Sequence, residues 1–223
     1  NFGQDSSFAG NETAQGNQDS NDKGDFYYTP PTDFLTLCTD NLSDPEIALP
    51  GEHFNTVVYT GNGSTQTISS LDFQPDFVWI KDVSGANSWG LFNSIMGAGV
   101  SLKSNDNSSE RPVSGSPGAT DDMYAFTSSG FSVGTNNYIN VNTDTSSYVS
   151  WSWKAGTTFD PATAGSVVTG SGSANSTAGF SVIEYEGTGA NMTIGHGLSQ
   201  APELIIVKNR DQTDSWMVYC AFN

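Results

Sequence analysis

Two stretches of this chain nearly repeat one another, and any fold must accommodate that. "NTVVYTGNGSTQTI" (Asn55 to Ile68) is followed by "FQPDFVWIK" (Phe73 to Lys81). Later come "SVIEYEGTGANMTI" (Ser181 to Ile194) and "QAPELIIVK" (Gln200 to Lys208). In register, Tyr59 matches Tyr185, Gly61 matches Gly187, Gly63 matches Gly189 and Ile68 matches Ile194, each 126 positions apart (185 against 59). Pro75 matches Pro202, Lys81 matches Lys208 and Trp89 matches Trp216, each 127 apart (208 against 81). The single inserted residue falls in the loop between two strand-like segments, where insertions cost least. An ordered set of this kind points to duplication, so each copy should be a structural unit.

The matched types have structural readings. Gly61 and Gly63 are expected to supply positive φ in a hairpin connection. Pro75 and Pro202 set the entry to a strand. Trp89 and Trp216 are expected as core anchors. Lys81 and Lys208 are expected in internal or cross-strand ion pairs, in preference to a ligand contact. The first copy runs over residues 54–156 and the second over 179–223. The second stops before counterparts of "MYAFTSSGFSVG" and "YVSWSWK", which would leave an apolar edge exposed. With no initial Met, the expectation is a piece of a longer polypeptide, or a second unit completed by another segment.

The local signals predict an all-β fold: tandem β-sandwich or jelly-roll-like units joined by Gly/Ser/Thr/Pro-rich linkers. "FNTVVYTG" and "DFVWIKD" are β-branched and aromatic and bounded by turn residues. "SWGLF", "MYAF", "GFSVG" and "YINVN" follow at sandwich-like spacing. "SYVSWSWKAG" alternates, with Val149, Trp151 and Trp153 on one face and Ser150, Ser152 and Lys154 on the other. That period predicts a half-buried strand with an aromatic core under the tryptophan face. Residues 157–178, rich in Gly, Ser and Thr, read as a linker with a short strand at Val167–Val168. Residues 39–53, with two prolines, read as a linker as well. Residues 1–38 begin with a polar, aperiodic surface loop; "FYYTPPTDFLTL" (Phe26 to Leu37) then supplies large apolar side chains that need a core.

Charge narrows the partners. Only 14% of residues are charged, yet the formal net charge is -17, with 24 acidic residues against 7 basic ones. Such a chain repels phosphate backbones and anionic bilayers, so neither nucleic acid nor membrane is an expected partner. No run approaches the roughly 18 apolar residues of a membrane span. The two cysteines, Cys38 and Cys220, are expected as free buried thiols, with a bridge between them as the alternative.

Chemistry-bearing constellations are sparse. His53 lies in the linker and His196 in a "GHGL" loop, neither with a Cys or carboxylate at metal-ligand spacing. No serine has a Gly-x-Ser-x-Gly setting or a His partner. Asp19, Asp22 and Asp25, and the pair Asp121–Asp122, form loose calcium-like sets without EF-hand spacing and are expected as solvated loop charge. Sequons at Asn11 and Asn107 follow from composition. No catalytic, cofactor-binding or metal residues are expected, binding residues are not assigned, and no enzyme activity is expected.

As a set, "YTGNGSTQTISSLDFQPDFVWIKD…SWGLFN…FTSSGFSVG…SYVSWSWKAG" and "GFSVIEYEGTG…IGHGLSQAPELIIVKNR…SWMVY" resemble a repeat domain of marine tailed-phage structural proteins. Upstream, Asn1 to Gln4 and Phe26 to Leu37 resemble the C-terminal end of a SPRY-type, concanavalin-like sandwich, with Phe2 on its last strands. The resemblance implies a β-rich virion component, such as a tail fibre, appendage or capsid-surface protein. It would be homo-oligomeric, associated with other virion proteins, without cofactor, and in contact with host-surface glycan. Its place would be the extracellular particle, assembled in the host cytoplasm. The alternative is a secreted carbohydrate-binding or adhesin module of a marine bacterium, which a solvent-open aromatic platform would favour. A polysaccharide-degrading enzyme would need two carboxylates facing across a groove.

Overall fold

The computed structural model describes residues 5–111, 120–135, 138–163, 165–166 and 169–221. The chain divides into two compact units, Asn1–Ala48 and Leu49–Asn223. Asn1 to Gln4, on which part of the upstream resemblance rests, lie outside the described residues, as does the strand expected at Val167–Val168.

The first unit is held by side chain to backbone bonds more than by a core. Isolated bridges pair Asp5 with Asp25 and Asn17 with Phe26. Asp19, expected as solvated charge, is instead 6% exposed. One of its oxygens accepts the backbone N–H groups of Asn21 and Lys23 at 2.9 and 3.0 Å. The other accepts the N–H of Thr36 at 2.7 Å and the Asn41 amide at 2.8 Å. Burial pushes this carboxyl up, but the bonds from Thr36, Lys23 and Asn21 outweigh it and hold Asp19 well below the usual carboxylate range. Asp25 accepts from Ser6 Oγ and the Gly16 N–H, each at 2.7 Å. The apolar run that seemed to need a core is largely on the surface: Tyr28, Phe34 and Leu37 are 79%, 69% and 78% exposed. The run bends after its prolines, where the Phe34 N–H donates to the Pro31 carbonyl at 3.1 Å.

The second unit is all-β apart from a three-residue 3-10 turn at Pro50–Glu52. Its strands are β1 (Phe54–Thr60), β2 (Gln66–Ile68), β3 (Phe77–Asp82), β4 (Gly90–Asn93), β5 (Leu102–Lys103), β6 (Met123–Thr127), β7 (Gly130–Val133) and β8 (Ser147–Trp153). They continue as β9 (Thr157–Phe159), β10 (Gly170–Asn175), β11 (Phe180–Tyr185), β12 (Leu204–Val207) and β13 (Met217–Cys220). The order β1-β8-β3-β4-β5 makes one sheet and β2-β7-β6 a second. β11, the first strand of the second copy, forms a sheet with β10 and β9, and β12 pairs with β13. Residues 157–178, read by composition as a linker, therefore carry β9 and β10.

One core lies between the first two sheets. Val78, Ile80, Phe92 and Tyr148 meet Met123, Phe131 and Val133 with no exposure at any of them. The Tyr59 hydroxyl donates to the Val141 carbonyl at 2.7 Å. Burial, with Tyr148 and Asp82 nearby, raises its pKa well above the ordinary phenol value.

β8 alternates as expected, but its faces are reversed. Ser150 and Ser152 are fully buried and face the core with Tyr148, whereas Trp151 and Trp153 are half-buried on the outer face. Small hydroxyl side chains on the same face as Tyr148 leave room for the large side chains of the core. The outer face is aromatic. Trp153 packs against Phe54 and Phe77 at 4.8 and 5.4 Å between ring centroids. Trp151 stacks on Trp89 at 5.9 Å and 7°.

The duplication is reproduced in geometry. β3 pairs with β4 as Phe77↔Asn93 and Val78↔Phe92, and β12 pairs with β13 as Leu204↔Cys220 and Ile205↔Tyr219, the same register shifted by 127. Several expected roles are corrected. β1 and β2 lie in different sheets, so Gly61 and Gly63 serve a crossover instead of a hairpin. Only Gly63 (φ 65°) and its counterpart Gly189 (φ 71°) have positive φ. Gly61 is needed for closeness, since a Cβ there would run into the Thr143 carbonyl. Trp89 and Trp216 are half-buried, not core anchors.

Candidate functional site

All seven basic side chains lie among the described residues, and six have charged, carbonyl or aromatic partners. Lys23 pairs with Asp40 at 2.7 Å. Lys103 lies 3.8 Å from the Tyr138 ring centroid and Arg111 lies 4.7 Å from it. Arg210 pairs with Glu110 at 2.6 Å and also with Glu184.

Lys81 and Lys208 are not the ion-pair members expected. Lys81 Nζ donates to the carbonyls of Asp82, Gly85 and Asn87 at 2.6, 3.0 and 3.1 Å. Lys208 Nζ donates to those of Asn209 and Gln212 at 2.6 and 3.1 Å, positions equivalent to Asp82 and Gly85. Each lysine closes the turn that follows its strand. Carbonyls converge there because the chain reverses within a few residues, and a flexible ammonium with three donors suits them.

The remaining cation, Lys154, has no side-chain partner among the described residues. It follows β8 and lines a cleft of about 430 Å³ with His53, Gly156, Thr157, Phe159, Asn175 and Thr177 among its walls. The β1–β8 pairing continues one step beyond β1, where the Lys154 N–H donates to the His53 carbonyl at 2.8 Å. Thus two residues 101 positions apart (154 against 53) share one end of the sheet. His53 Nδ1 and Asn175 Nδ2 are 2.8 Å apart. The amide also donates to the Lys154 carbonyl at 3.2 Å. With the Asn175 nitrogen as donor, Nδ1 of His53 accepts and Nε2 carries the proton. Asn175 Oδ1 accepts the Ala178 N–H at 3.0 Å, which fixes the amide orientation.

The cleft therefore offers an ammonium, an imidazole N–H, the Thr157 and Thr177 hydroxyls and the Phe159 ring. Its lining contains no carboxylate. This suits binding of a hydroxylated or anionic ligand and lacks the acid pair of glycoside hydrolysis. Sequence reading left His53 in a linker and Lys154 on a strand face. The strand register that joins them is not visible in local pattern, and Asn175 lies in the segment read as a linker.

The other residues marked in the sequence serve locally. His196 Nδ1 accepts the Leu198 N–H at 3.1 Å. Asp122 accepts the Tyr138 and Ile139 N–H groups at 3.2 Å. Among the described residues, no group of three or more His, Cys, Asp or Glu is placed to hold a metal ion. Both cysteines are free, but Cys220 is exposed and Cys38 half-buried, not the buried pair expected. No helix is long and apolar enough to cross a membrane among the described residues.

A family model described as a domain of unknown function (DUF7483) matches residues 49–222. No curated protein and no solved structure matches the chain.

Proposed function

The chain belongs to the DUF7483 family; we propose that it is a non-catalytic structural module of a tailed-phage virion built from tandem β-sandwich units. In this reading it acts in a fibre, appendage or capsid-surface component beside other virion proteins and further copies of itself. The observation that carries the reading is the second copy's reuse of the first copy's strand register and lysine-closed turn. What recurs between copies is scaffold: a register, a turn and a positive-φ glycine. At the start of the second copy the position of the cleft residue His53 is taken by Gly179. An acidic surface with few unpaired cations also limits nonspecific adhesion. Negative-stain imaging of particles from cultures producing this chain, labelled with an antibody raised against it, tests the proposal. Regularly placed label is the expected result, and unlabelled particles would sink it.

The second reading, a carbohydrate-binding or adhesin module, is favoured by the cleft. Its ligand would be an acidic oligosaccharide, with Lys154 facing a carboxylate or sulfate and Phe159 under a sugar ring. The outer aromatic face favours it less, because Phe180 stacks on Trp153 at 5.8 Å and 19° and covers part of the platform. Titration with sulfated and uronate-containing oligosaccharides decides it. Binding that Lys154→Ala abolishes supports a glycan contact, and no binding removes it.

A further inference from the structure

Asn175 closes β10 and stands opposite Phe180, the first residue of β11, across the hairpin that joins the two strands. Its amide is oriented by two backbone groups. Oδ1 accepts the Ala178 N–H at 3.0 Å, and Nδ2 donates to the Lys154 carbonyl at 3.2 Å. The same Nδ2 lies 2.8 Å from Nδ1 of His53. Because the nitrogen end of the amide faces the ring, Nδ1 must accept, and only the neutral tautomer with its proton on Nε2 fits. A proton on Nδ1 would set donor against donor. Turning the amide over is no remedy, since it would place Oδ1 against the Lys154 carbonyl and Nδ2 against the Ala178 N–H.

His53 follows the turn Pro50–Glu52, precedes β1, and meets the end of β8 where its carbonyl accepts the Lys154 N–H. Of the charged groups on these elements and the strand beside them, Lys154 lines the same cleft and Glu52 is exposed. The Asp76 carboxylate is outside the lining and is occupied by the Ala155 and Gly156 N–H groups at 2.9 and 2.7 Å. β9 contributes Thr157 and Phe159, and β10 contributes Ala174 and Asn175, none of which titrates. The cleft lining therefore offers an incoming ring proton no carboxylate partner.

The contact sits where the β10–β11 hairpin covers the outer aromatic face. Phe180 stacks on Trp153 at 5.8 Å and 19°, and meets Phe77 edge-on at 6.0 Å and 62°. Trp153 immediately precedes Lys154, whose carbonyl takes the other bond from the Asn175 amide. Asn175 thus ties the hairpin to the end of β8, beside the ring that Phe180 covers.

We propose that the His53–Asn175 contact is a proton-operated latch, closed by a neutral imidazole and released when Nδ1 takes a proton, which lifts the β10–β11 hairpin and uncovers Trp153. The closed form has no place for a second ring proton and the open form has one, so acid shifts the balance toward the open form. The latch goes beyond both readings of function and depends on neither.

The test follows hydrogen exchange of residues 170–185 in the full chain at about pH 8 and about pH 5.5, a span over which imidazole side chains change charge. Rates are corrected for the intrinsic pH dependence of exchange. Acrylamide quenching of Trp153 is read alongside, as the difference between the chain and Trp153→Phe. Protection of the hairpin is expected to fall about tenfold in acid, the fold-change that corresponds to roughly one hydrogen bond, and Trp153 should become more accessible to quencher. His53→Gln keeps an acceptor for the Asn175 amide but cannot take a proton, so its protection should stay level between the two conditions. Asn175→Asp presents only acceptors to the ring, so a protonated His53 closes the latch and protection should rise in acid. Equal wild-type protection at both pH values would overturn the proposal. So would a loss in acid that His53→Gln retains, because carboxylates elsewhere would then be its cause. That comparison decides the matter even where Asn175→Asp fails to fold.

Discussion

Phe92 and Tyr219 occupy the same place in the two copies, 127 positions apart, yet their surroundings differ completely. Phe92 is 0% exposed in the core, and Tyr219 is 58% exposed. Phe92→Ala should cost about 3–5 kcal/mol, the transfer term plus the cavity left behind. Tyr219→Ala removes roughly 40 Å² of apolar surface from partial cover and leaves no closed cavity, so it should cost about 1 kcal/mol. At about 2–4 °C per kcal/mol for a chain of this size, the first variant should melt roughly 6–20 °C lower and the second roughly 2–4 °C lower. Tryptophan fluorescence follows the first copy well, because Trp79, Trp89, Trp151 and Trp153 lie there and only Trp216 lies in the second. Urea unfolding with both variants and their double mutant gives the comparison. Equal costs would mean that Tyr219 is as well covered as Phe92, and the contrast drawn between the two positions would fail. A loss below about 1 kcal/mol for Phe92→Ala would equally refute the assignment of the core.

Ser152 Oγ is buried without a hydrogen-bond partner, so Ser152→Ala should stabilise the fold by on the order of 1 kcal/mol, read as a raised urea midpoint. Asp19 has a folded-state pKa depressed below its unfolded value, so its contribution is complete above about pH 3.9 and is lost as pH falls from there through the folded value. Asp19→Asn should therefore lower the unfolding midpoint of the Asn1–Ala48 unit at neutral pH, and the gap from wild type should shrink in acid. A gap that widens in acid would contradict the sign. Ellman's reagent should label the exposed Cys220 promptly and the half-buried Cys38 more slowly.

The fold class was legible because strand chemistry is local. β-branched and aromatic runs such as "FVWIKD" and turn glycines need only a few neighbours to be read. The phase of β8 was legible too, but not its sense. Alternation separates two faces without saying which is inside. At Ser150 and Ser152 the choice is set by the second sheet, which comes from distant sequence and closes over the serine face, and this overrides the usual preference of tryptophan for the interior. β9 and β10 were hidden for a related reason. "GSGSAN" has almost no apolar side chains, and β10 is a strand because β11 and β9 pair with its backbone on both edges. The cleft was hidden most completely, since His53, Lys154 and Asn175 meet only through the β1–β8 register and that same strand β10. Their polarity marks no period, and no spacing motif joins them.

The turn after each lysine strand carries the argument about architecture one step further. In the first copy Asn87 donates its amide to Asp82 at 2.7 Å, and in the second Asn209 donates to Asp214 at 2.6 Å. The amide and the carboxylate have exchanged places between equivalent positions, yet the bond, the turn and the lysine above it remain. Asp82 and Asn209 each also accept a backbone N–H two residues on, at 2.8 and 3.0 Å. A side-chain oxygen is common to Asp and Asn, so either residue can build the turn. A site that bound a cation through this carboxylate would not tolerate the exchange, because an amide in its place removes the charge. A turn that only reverses the chain would tolerate it. Exchanging the pair in the first copy, Asp82→Asn with Asn87→Asp, should therefore leave the unfolding midpoint within about 0.5 kcal/mol of wild type, whereas Asp82→Ala alone should cost about 1 kcal/mol or more through the unpaired N–H and amide groups. If the exchanged variant is as unstable as Asp82→Ala, the carboxylate at position 82 has a role that geometry alone does not supply.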